Sequence, residues 1–186
     1  DVYKRQVLRE TQLVVCLLFQ YAGMSFVDFA HLKERNIKNG ILDYNRQKTG
    51  TPMRLEILDT AELMRKELMG DKKPASGYLF PFLSGTKTGY EAYLEYNAAL
   101  SRFNRNLKAL KKAAGIASDV TSYTIRHSFA MALKEQNVPI EMISELLGHK
   151  SIKTTQIYLR SFSLEKMTEV NSTCFGCVYN YVSKVG

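Results

Sequence analysis

Residues 123–159 read YTIRHSFAMALKEQNVPIEMISELLGHKSIKTTQIYL. Apolar residues recur in this stretch at the three- and four-residue spacing of amphipathic helices. They mark one helix with Ile125, Phe129, Ala132 and Leu133 and a second helix with Ile140, Ile143, Leu146 and Leu147. Pro139 begins the second helix, Gly148 ends it, and Ser151 can cap a third. The pattern predicts three consecutive short helices.

The residues upstream predict further helices. Apolar periodicity indicates helices over residues 7–21, from about residue 25, over 59–69 and over 90–114. Phe26, Phe29 and Leu32 are expected to point inward from the second of these helices. Asp59 followed by Glu62 fits a capping-box start of the third. In the loop that follows, residues 78–81 are expected to anchor the chain to the core.

A small antiparallel sheet is predicted near the N-terminal third. Asn39-Gly40 is the strongest short hairpin signal, because both turn residues must accept positive φ. The second strand is expected to run from Ile41 to Lys48, and Met53, Leu55 and Ile57 alternate as in a third strand. The fold class predicted is α+β, mainly α-helical.

The composition is that of a globular protein with one domain. Of the 186 residues, 45% are hydrophobic and 24% are charged, which is enough apolar material for a core. The longest apolar run, residues 13–19, is far shorter than the roughly 20 residues of a membrane span, so no membrane partner is expected. The chain starts with neither an initiator Met nor a signal peptide, which favours a piece of a longer protein.

The charge favours a polyanionic partner such as nucleic acid. Lys and Arg total 26 against 18 Asp and Glu, a net charge of +8. In the helix predicted over 90–114, the half opposite the apolar arc carries Arg102, Arg105, Lys108, Lys111 and Lys112. Such a half is either a solvated helix face or a surface that contacts DNA phosphates. The sequence leaves both interpretations open.

The cysteines indicate a reducing compartment, the cytoplasm. Cys16, Cys174 and Cys177 form no disulfide-rich pattern. Cys174 and Cys177 have CxxC spacing, but no second pair accompanies them, so ordinary packing is favoured over a zinc or redox site. We expect no bound metal.

The order and spacing of Arg126, His149 and Tyr158 resemble the catalytic domain of the tyrosine recombinases, the phage integrase family. The nine-residue step from His149 to Tyr158 matches the family pattern. Residues 46–50 (RQKTG) resemble the family's hairpin that carries a catalytic lysine, and residues 23–28 (GMSFVD) resemble its first arginine motif. Each motif alone is weak, whereas the ordered set is specific.

The resemblance implies a site-specific recombinase that breaks and rejoins double-stranded DNA through a covalent 3′-phosphotyrosine, with no cofactor. Tyr158 would be the nucleophile, and Arg126 would bind the non-bridging phosphate oxygens through its planar fork. His149 would donate to the phosphate or transfer a proton. Lys48 would protonate the leaving 5′ oxygen. His127 faces away from its neighbour Arg126 on a helix and is expected to be structural.

Two positions depart from the family pattern. Ser25 stands where the family has its first arginine, as in the subgroup carried by integrative and conjugative elements, which the chain resembles. Arg46 and Lys48 are two residues apart on a predicted strand and would share a face, so Arg46 either supplies the missing charge or is a surface arginine. Tyr123 stands three residues before Arg126, where the family has His or Lys. A phenol can donate a hydrogen bond there but is a poor base.

Ser25 and Tyr123 keep two alternatives open: a catalytically impaired DNA-binding relative, and a DNA relaxer of the type IB topoisomerase kind. Nothing in residues 1–186 matches the family's N-terminal core-binding domain, so we expect a single catalytic domain of a longer recombinase from a mobile element. The resemblance also implies self-association on DNA, as a tetramer at a four-way junction. Residues 164–186 are the segment expected to dock on a neighbouring subunit, in the cytoplasm of a bacterium.

Overall fold

The computed structural model of the chain describes residues 2–74 and 77–159. Helices hold most of these residues: α1 (Val2–Gln20), α2 (Phe26–Ala30), α3 (Asp59–Met69), α4 (Gly89–Ala113), α5 (Ser122–Glu135), α6 (Ile140–Leu146) and α7 (Ile152–Tyr158). One antiparallel sheet has the order β1 (Ile37–Lys38), β2 (Ile41–Asn45) and β3 (Pro52–Glu56). The predicted α+β class is confirmed, and the three consecutive helices predicted over 123–159 are α5, α6 and α7.

Helix α1 begins at Val2 rather than at the predicted residue 7. Its first turn buries little, since Val2 and Tyr3 are mostly exposed, and so apolar periodicity gave no sign of it. A polar pair one turn apart supports the helix here, because Gln6 Nε2 donates to Glu10 Oε1 at 3.1 Å. The buried face starts only at Thr11.

The β1–β2 hairpin turns at Asn39-Gly40, as predicted. The φ angles of these residues are +52° and +75°, values that Asn and Gly accept more readily than other residues. Strand β2 then pairs with β3 in a register that sets Tyr44 opposite Met53. Both of these side chains are buried, so the inner face of the sheet belongs to the core.

Strand β2 ends at Asn45, so the prediction that it extends to Lys48 is wrong. The Arg46 amide donates to the Thr51 carbonyl at 2.9 Å, and the Gly50 amide donates to the Arg46 carbonyl at 2.8 Å. These bonds close a tight turn directly after the strand, and Lys48 lies within that turn. Arg46 and Lys48 therefore do not share a face of one strand.

Helix α3 ends at Met69 as predicted, but the capping box predicted at its start is wrong. The residue before the helix is Leu58, which makes no side-chain capping bond, and Asp59 is already helical. Glu62 pairs instead with Arg65, with Oε1 2.6 Å from Nη2. The two acidic residues still favour this end of the helix through the dipole.

The main core lies among α1, α2, α3, α4 and the sheet. Phe26 of α2 points inward as predicted and stacks on Phe103 of α4, with ring centroids 4.7 Å apart. The loop after α3 is anchored as predicted, because the Leu79 amide donates to the Leu32 carbonyl at 2.8 Å and Phe80 is fully buried.

A smaller apolar cluster joins α5 to α6. Its buried members are Ala130, Ile143 and Leu147, and the half-buried Phe129, Leu133, Val138 and Leu159 pack around them. Helices α5 and α6 are thereby fixed against each other, which sets the position of the end of α6 relative to the side chains of α5.

The turn after α1 passes very close to α5 at Gly23. The φ of Gly23 is +62°, and a Cβ built there would lie 2.8 Å from Cδ1 of Phe129. Only glycine meets both demands. The close approach brings the Gly23 carbonyl up to α5.

Gly23→Ala is expected to destabilise the chain more than Gly40→Ala. Both residues have positive φ, which strains alanine by about 1–2 kcal/mol at each position. At Gly40 nothing lies within 4 Å of an added Cβ, whereas at Gly23 the Cβ collides with Phe129, and overpacking adds about 1–3 kcal/mol. Urea denaturation of both variants measures the difference. Equal losses of stability would contradict the close approach.

Candidate active site

The carbonyl of Leu147, directly after α6, accepts hydrogen bonds from two arginines. Arg126 donates to it through Nη2, and Arg46 donates through Nη1 at 3.1 Å. The last carbonyls of a helix have no partner within the helix and lie at the negative end of its dipole, so they suit cationic donors. Two guanidinium groups that are distant in sequence meet at this oxygen.

Arg126 is fixed on its other side by the turn after α1. Its Nη1 donates to the Gly23 carbonyl at 3.0 Å, the atom that the close approach at Gly23 brings to α5. The side chain is only 6% exposed. Arg126 is therefore held between the end of α1 and the end of α6, with its orientation set by backbone oxygens.

Arg46 reaches the same place from the sheet. Its Nη1 also donates to the Gly148 carbonyl at 3.1 Å, and its Nε lies 3.4 Å from Oδ2 of Asp28 in an ion pair with both side chains buried. The remaining nitrogen, Nη2, has no hydrogen-bond partner among residues 2–74 and 77–159, and it is not fully buried. This nitrogen is a donor available to a ligand.

Ser25, at the position of the family's first arginine, binds a carboxylate within the protein. Its Oγ donates to Oδ2 of Asp28 at 2.5 Å. Asp28, which is 2% exposed, also accepts from the Gln47 amide through Oδ1 at 2.7 Å. One buried carboxylate thus ties the start of α2 to the turn that carries Arg46 and Lys48. Sequence reasoning missed Asp28, whose only signal was its place three residues after Ser25.

Among the residues that the structure describes, the charges of this cluster do not balance. Arg46 and Arg126 bring two positive charges to one carbonyl, and Asp28 supplies one negative charge. Guanidinium groups stay ionised at neutral pH, so the cluster keeps a net positive charge in a poorly solvated place. A bound anion would relieve the repulsion between the two arginines.

His149 completes the cluster. Its Nε2 lies 3.5 Å from Nη2 of Arg126, and its Nδ1 lies 2.8 Å from Oγ1 of Thr155 on α7. Burial lowers the pKa of His149 to about 4, with the charges of Arg126 and then Arg46 adding to the effect. The imidazole is therefore neutral at neutral pH. Thr155 lies within the sequence motif, but the motif predicts no role for it.

Tyr158 is the last residue of α7, and its side chain lies outside the described part of the structure. Ile152 is 39% exposed, Ile157 is exposed as well, and the buried residue is Thr155. Helix α7 is held by the contact of Thr155 with His149 and by Leu159, directly after the helix, which packs on the α5–α6 cluster.

Lys48 is two residues after Arg46 in the sequence, and Tyr123 is three residues before Arg126. Lys48 is exposed in the turn after β2 and forms no hydrogen bond or ion pair with any described residue. Tyr123 is 64% exposed in the first turn of α5, one turn before Arg126. The structure thus brings together Arg46, Arg126 and His149 but does not bring Lys48 into contact with them.

The basic residues of α4 spread around half of the helix. Arg102 and Lys111 are nine residues apart, which sets them on opposite sides at about 100° per residue. Arg102 lines a cavity between α1 and α4, whereas Lys111 pairs with Asp119 at 3.2 Å. Arg105, Lys108 and Lys112 are exposed, as is Arg102, and Lys111 is half-buried. Four of the five basic side chains of α4 are therefore exposed.

The part of the chain that the structure describes contains no group of three His, Cys, Asp or Glu side chains placed as metal ligands. Cys174 and Cys177 lie outside those residues. Within the same described ranges, none of the helices has the length and apolar character needed to cross a membrane.

The arrangement of helices matches solved structures of DNA recombinases. The XerA recombinase superposes with a TM-score of 0.63 over 91% of this chain and 60% of that chain, at 19% identity. XerH site-specific recombinase bound to a palindromic difH substrate gives 0.62 over 92% and 51%, also at 19% identity. The Tn1549 transposon integrase in complex with a circular-intermediate DNA gives 0.61 over 86% and 57%, at 16% identity. The fold is that of a tyrosine recombinase catalytic domain.

The chain belongs to the phage integrase family, because the family's sequence pattern matches residues 3–165. Tyrosine recombinase XerD of Lacticaseibacillus casei is 52% identical over 54 residues, 29% of this chain and 18% of that protein. Tyrosine recombinase XerC of Rickettsia typhi is 41% identical over 75 residues, 40% of this chain and 24% of that protein. The chain spans less than a quarter of the length of these relatives.

The low pKa of His149 predicts how stability changes with pH. Between the ordinary histidine pKa of 6.5 and about 4, the unfolded chain binds a proton at this position that the folded chain does not. Stability from this group is complete above pH 6.5 and is lost as the pH falls to about 4. Urea denaturation at pH 7 and pH 4.5 is expected to show a larger loss for the wild type than for His149→Gln. Equal losses in the two proteins would contradict the buried, neutral imidazole.

Proposed function

We propose that this chain is the catalytic part of a site-specific tyrosine recombinase, an integrase or transposase of a mobile element. It breaks and rejoins double-stranded DNA through a 3′-phosphotyrosine on Tyr158. The observation that carries the proposal is the convergence of Arg46, Arg126 and His149 at the end of α6, directly before the helix that ends at Tyr158.

The chemistry needs a cationic site prepared in advance. When the phenol oxygen of Tyr158 attacks a DNA phosphorus, the bond from phosphorus to the 5′ oxygen breaks, and the five-coordinate transition state carries additional negative charge. Fixed donors stabilise such a state because they need no reorganisation during the reaction. Arg46 and Arg126 are already held by backbone carbonyls and Asp28. These contacts support a role for both arginines in binding the non-bridging oxygens.

Arg46 takes the role that Ser25 cannot fill. Ser25 is bound to Asp28, whereas Arg46 sits on the carbonyl that also binds Arg126 and has Nη2 available for a ligand. The strand on which Arg46 was expected ends before it, but the tight turn after β2 and the ion pair with Asp28 direct its side chain inward, which supports this role. The absence of an arginine at Ser25 fits the subgroup of integrative and conjugative elements, to which we assign the chain.

Lys48 is the general acid of the proposal. It follows Gln47, whose amide is bound to Asp28, so the backbone of the turn is fixed while the Lys48 side chain is free to extend towards a leaving 5′ oxygen. Tyr123 serves as a hydrogen-bond donor to the phosphate from the first turn of α5. A neutral phenol can fill that role without acting as a base.

Double-stranded DNA is the proposed partner. The net charge of +8 suits a DNA backbone, and the solved XerH and Tn1549 integrase structures hold DNA. Along α4, Arg105, Lys108 and Lys112 face outward for backbone contacts, with Arg102 and Lys111 at the flanks.

We infer that the protein self-associates on DNA, as a tetramer when two recombination sites are joined. Residues 164–186 are the segment proposed to dock on a neighbouring subunit. The core-binding domain would lie in another part of a longer protein. The enzyme is proposed to act in the bacterial cytoplasm.

Covalent capture tests the proposal. The complete protein that contains this chain is incubated with a nicked duplex made from the inverted repeats that flank its gene, so that religation is blocked. A protein–DNA adduct resistant to denaturant is expected with the wild type and not with Tyr158→Phe, which keeps the ring but removes the nucleophile.

The other outcomes separate the alternatives. Sequence-specific binding without adduct would overturn the proposal in favour of a DNA-binding relative. Relaxation of supercoiled plasmid without sequence preference would favour a topoisomerase.

Arg46→Ala is expected to slow single-turnover cleavage at saturating DNA by about 10²–10³-fold, the usual effect of removing one fixed donor to a charged transition state. Arg46→Lys keeps the charge but loses the fork and is expected to recover only part of the rate. Arg35→Ala, at an exposed arginine two residues before β1, is the control and is expected to cleave at the wild-type rate.

Thermal unfolding is measured for each variant, because Arg46→Ala leaves Asp28 unpaired. A folded Arg46→Ala protein that cleaves like the wild type would eliminate the assigned role.

A further inference from the structure

Thr155 has a fully buried hydroxyl three residues before Tyr158. Its relative exposure is 0%, and its Oγ1 lies 2.8 Å from Nδ1 of His149. No other described residue forms a hydrogen bond with the Thr155 side chain. A buried polar residue in the middle of a seven-residue helix, in contact with one active-site atom, calls for a physical reason.

Two proton arrangements fit the distance between Nδ1 and Oγ1. In the first, the hydroxyl donates to an unprotonated Nδ1, and the neutral ring carries its proton on Nε2. In the second, Nδ1–H donates to the hydroxyl oxygen, and Nε2 is unprotonated. The first arrangement makes His149 a donor on the side of Arg126, and the second makes it an acceptor there.

The burial of Thr155 selects the first arrangement. A buried O–H without an acceptor loses its bond to water and gains nothing in exchange. In the second arrangement the Thr155 O–H has no acceptor among the described residues. In the first arrangement it has Nδ1, and both groups are satisfied.

The contact on the other side of the ring is long enough to permit this choice, although Arg126 can only donate. Nε2 is 3.5 Å from Nη2 of Arg126, a long distance for a hydrogen bond. Arg126 already donates to the carbonyls of Gly23 and Leu147, so it does not need Nε2 as an acceptor. With a proton on Nε2, two donors lie side by side and can bind one oxygen between them.

We propose that Thr155 is a positioning residue that holds neutral His149 with its proton on Nε2, so that His149 and Arg126 together bind one non-bridging oxygen of the DNA phosphate. The inference rests on the proposed function and decides between the two roles open to His149. The histidine is a phosphate donor rather than a proton acceptor, and the hydroxyl that fixes this choice lies on the helix that ends at the nucleophile.

Nuclear magnetic resonance tests the proton position without reference to activity. The 186-residue chain is labelled with ¹⁵N-histidine, and long-range ¹H–¹⁵N correlations at neutral pH report which ring nitrogen is protonated. His149→Gln identifies the His149 signals. A proton on Nε2 is expected in the wild type and in Thr155→Ser, and a mixture of both neutral forms in Thr155→Val. A proton on Nδ1 in the wild type would overturn the proposal.

Cleavage of the nicked duplex by the complete protein gives the second readout. Thr155→Val is expected to slow cleavage about tenfold, the effect of losing one hydrogen bond of ordinary strength, and Thr155→Ser to restore the rate to within about threefold of the wild type. Thr154→Val, at the exposed neighbour on the same helix, is the control and is expected to change nothing. Equal rates for Thr155→Val and Thr155→Ser would contradict the proposal.

The failure of this inference differs from the failure of the proposed function. Loss of all adduct formation in the wild-type protein would remove the function, whatever the tautomer of His149. A proton on Nδ1 in a wild-type protein that forms the adduct would remove only the role of Thr155.

Discussion

The active-site cluster depends on one carbonyl oxygen. Leu147 C=O accepts from Arg46 and Arg126, and through it the sheet, α5 and the end of α6 meet at one point. Two guanidinium groups held so close repel each other, and each loses part of its hydration. The surrounding fold opposes that repulsion with the Gly23 and Gly148 carbonyls and the buried Asp28. Because backbone atoms supply most of these contacts, the arginine positions depend on where helices and turns end.

Much of the fold could be predicted because it follows from local signals. The Asn39-Gly40 turn and the apolar periodicity of α4 to α6 need only neighbouring residues, and the structure has them. The predictions that failed depended on particular hydrogen bonds and ion pairs, which a periodic pattern of apolar residues does not reveal. The end of β2 depends on the bond from Arg46 to Thr51, which alternation of apolar residues cannot reveal. At α3, Glu62 forms an ion pair with Arg65 and does not cap the helix.

The site residues divide in the same way, into those that a motif predicts and those whose hydrogen-bond partners it does not predict. Arg126 and His149 could be found from motif order, whereas Asp28 and Thr155 could not be given roles, since their partners lie 18 and 6 residues away. The strand face that pointed to Arg46 is wrong, and the phosphate-binding role of Arg46 stays a prediction. The turn after β2 directs its guanidinium to the carbonyl that also binds Arg126, whereas Ser25 is bound to Asp28.

Gly148 couples the position of the Arg46–Lys48 turn to the position of His149. A Cβ at this residue would lie 2.5 Å from the sulfur of Met53 and 2.6 Å from Cδ of Arg46, so the backbone after α6 rests directly on the sheet and its turn. His149 is the next residue, and α7 starts three residues later. The connection from Gly148 to α7 is therefore short and rests firmly on the sheet. A displacement of the Arg46–Lys48 turn would be carried directly to His149, so Arg46, Lys48 and His149 would shift together.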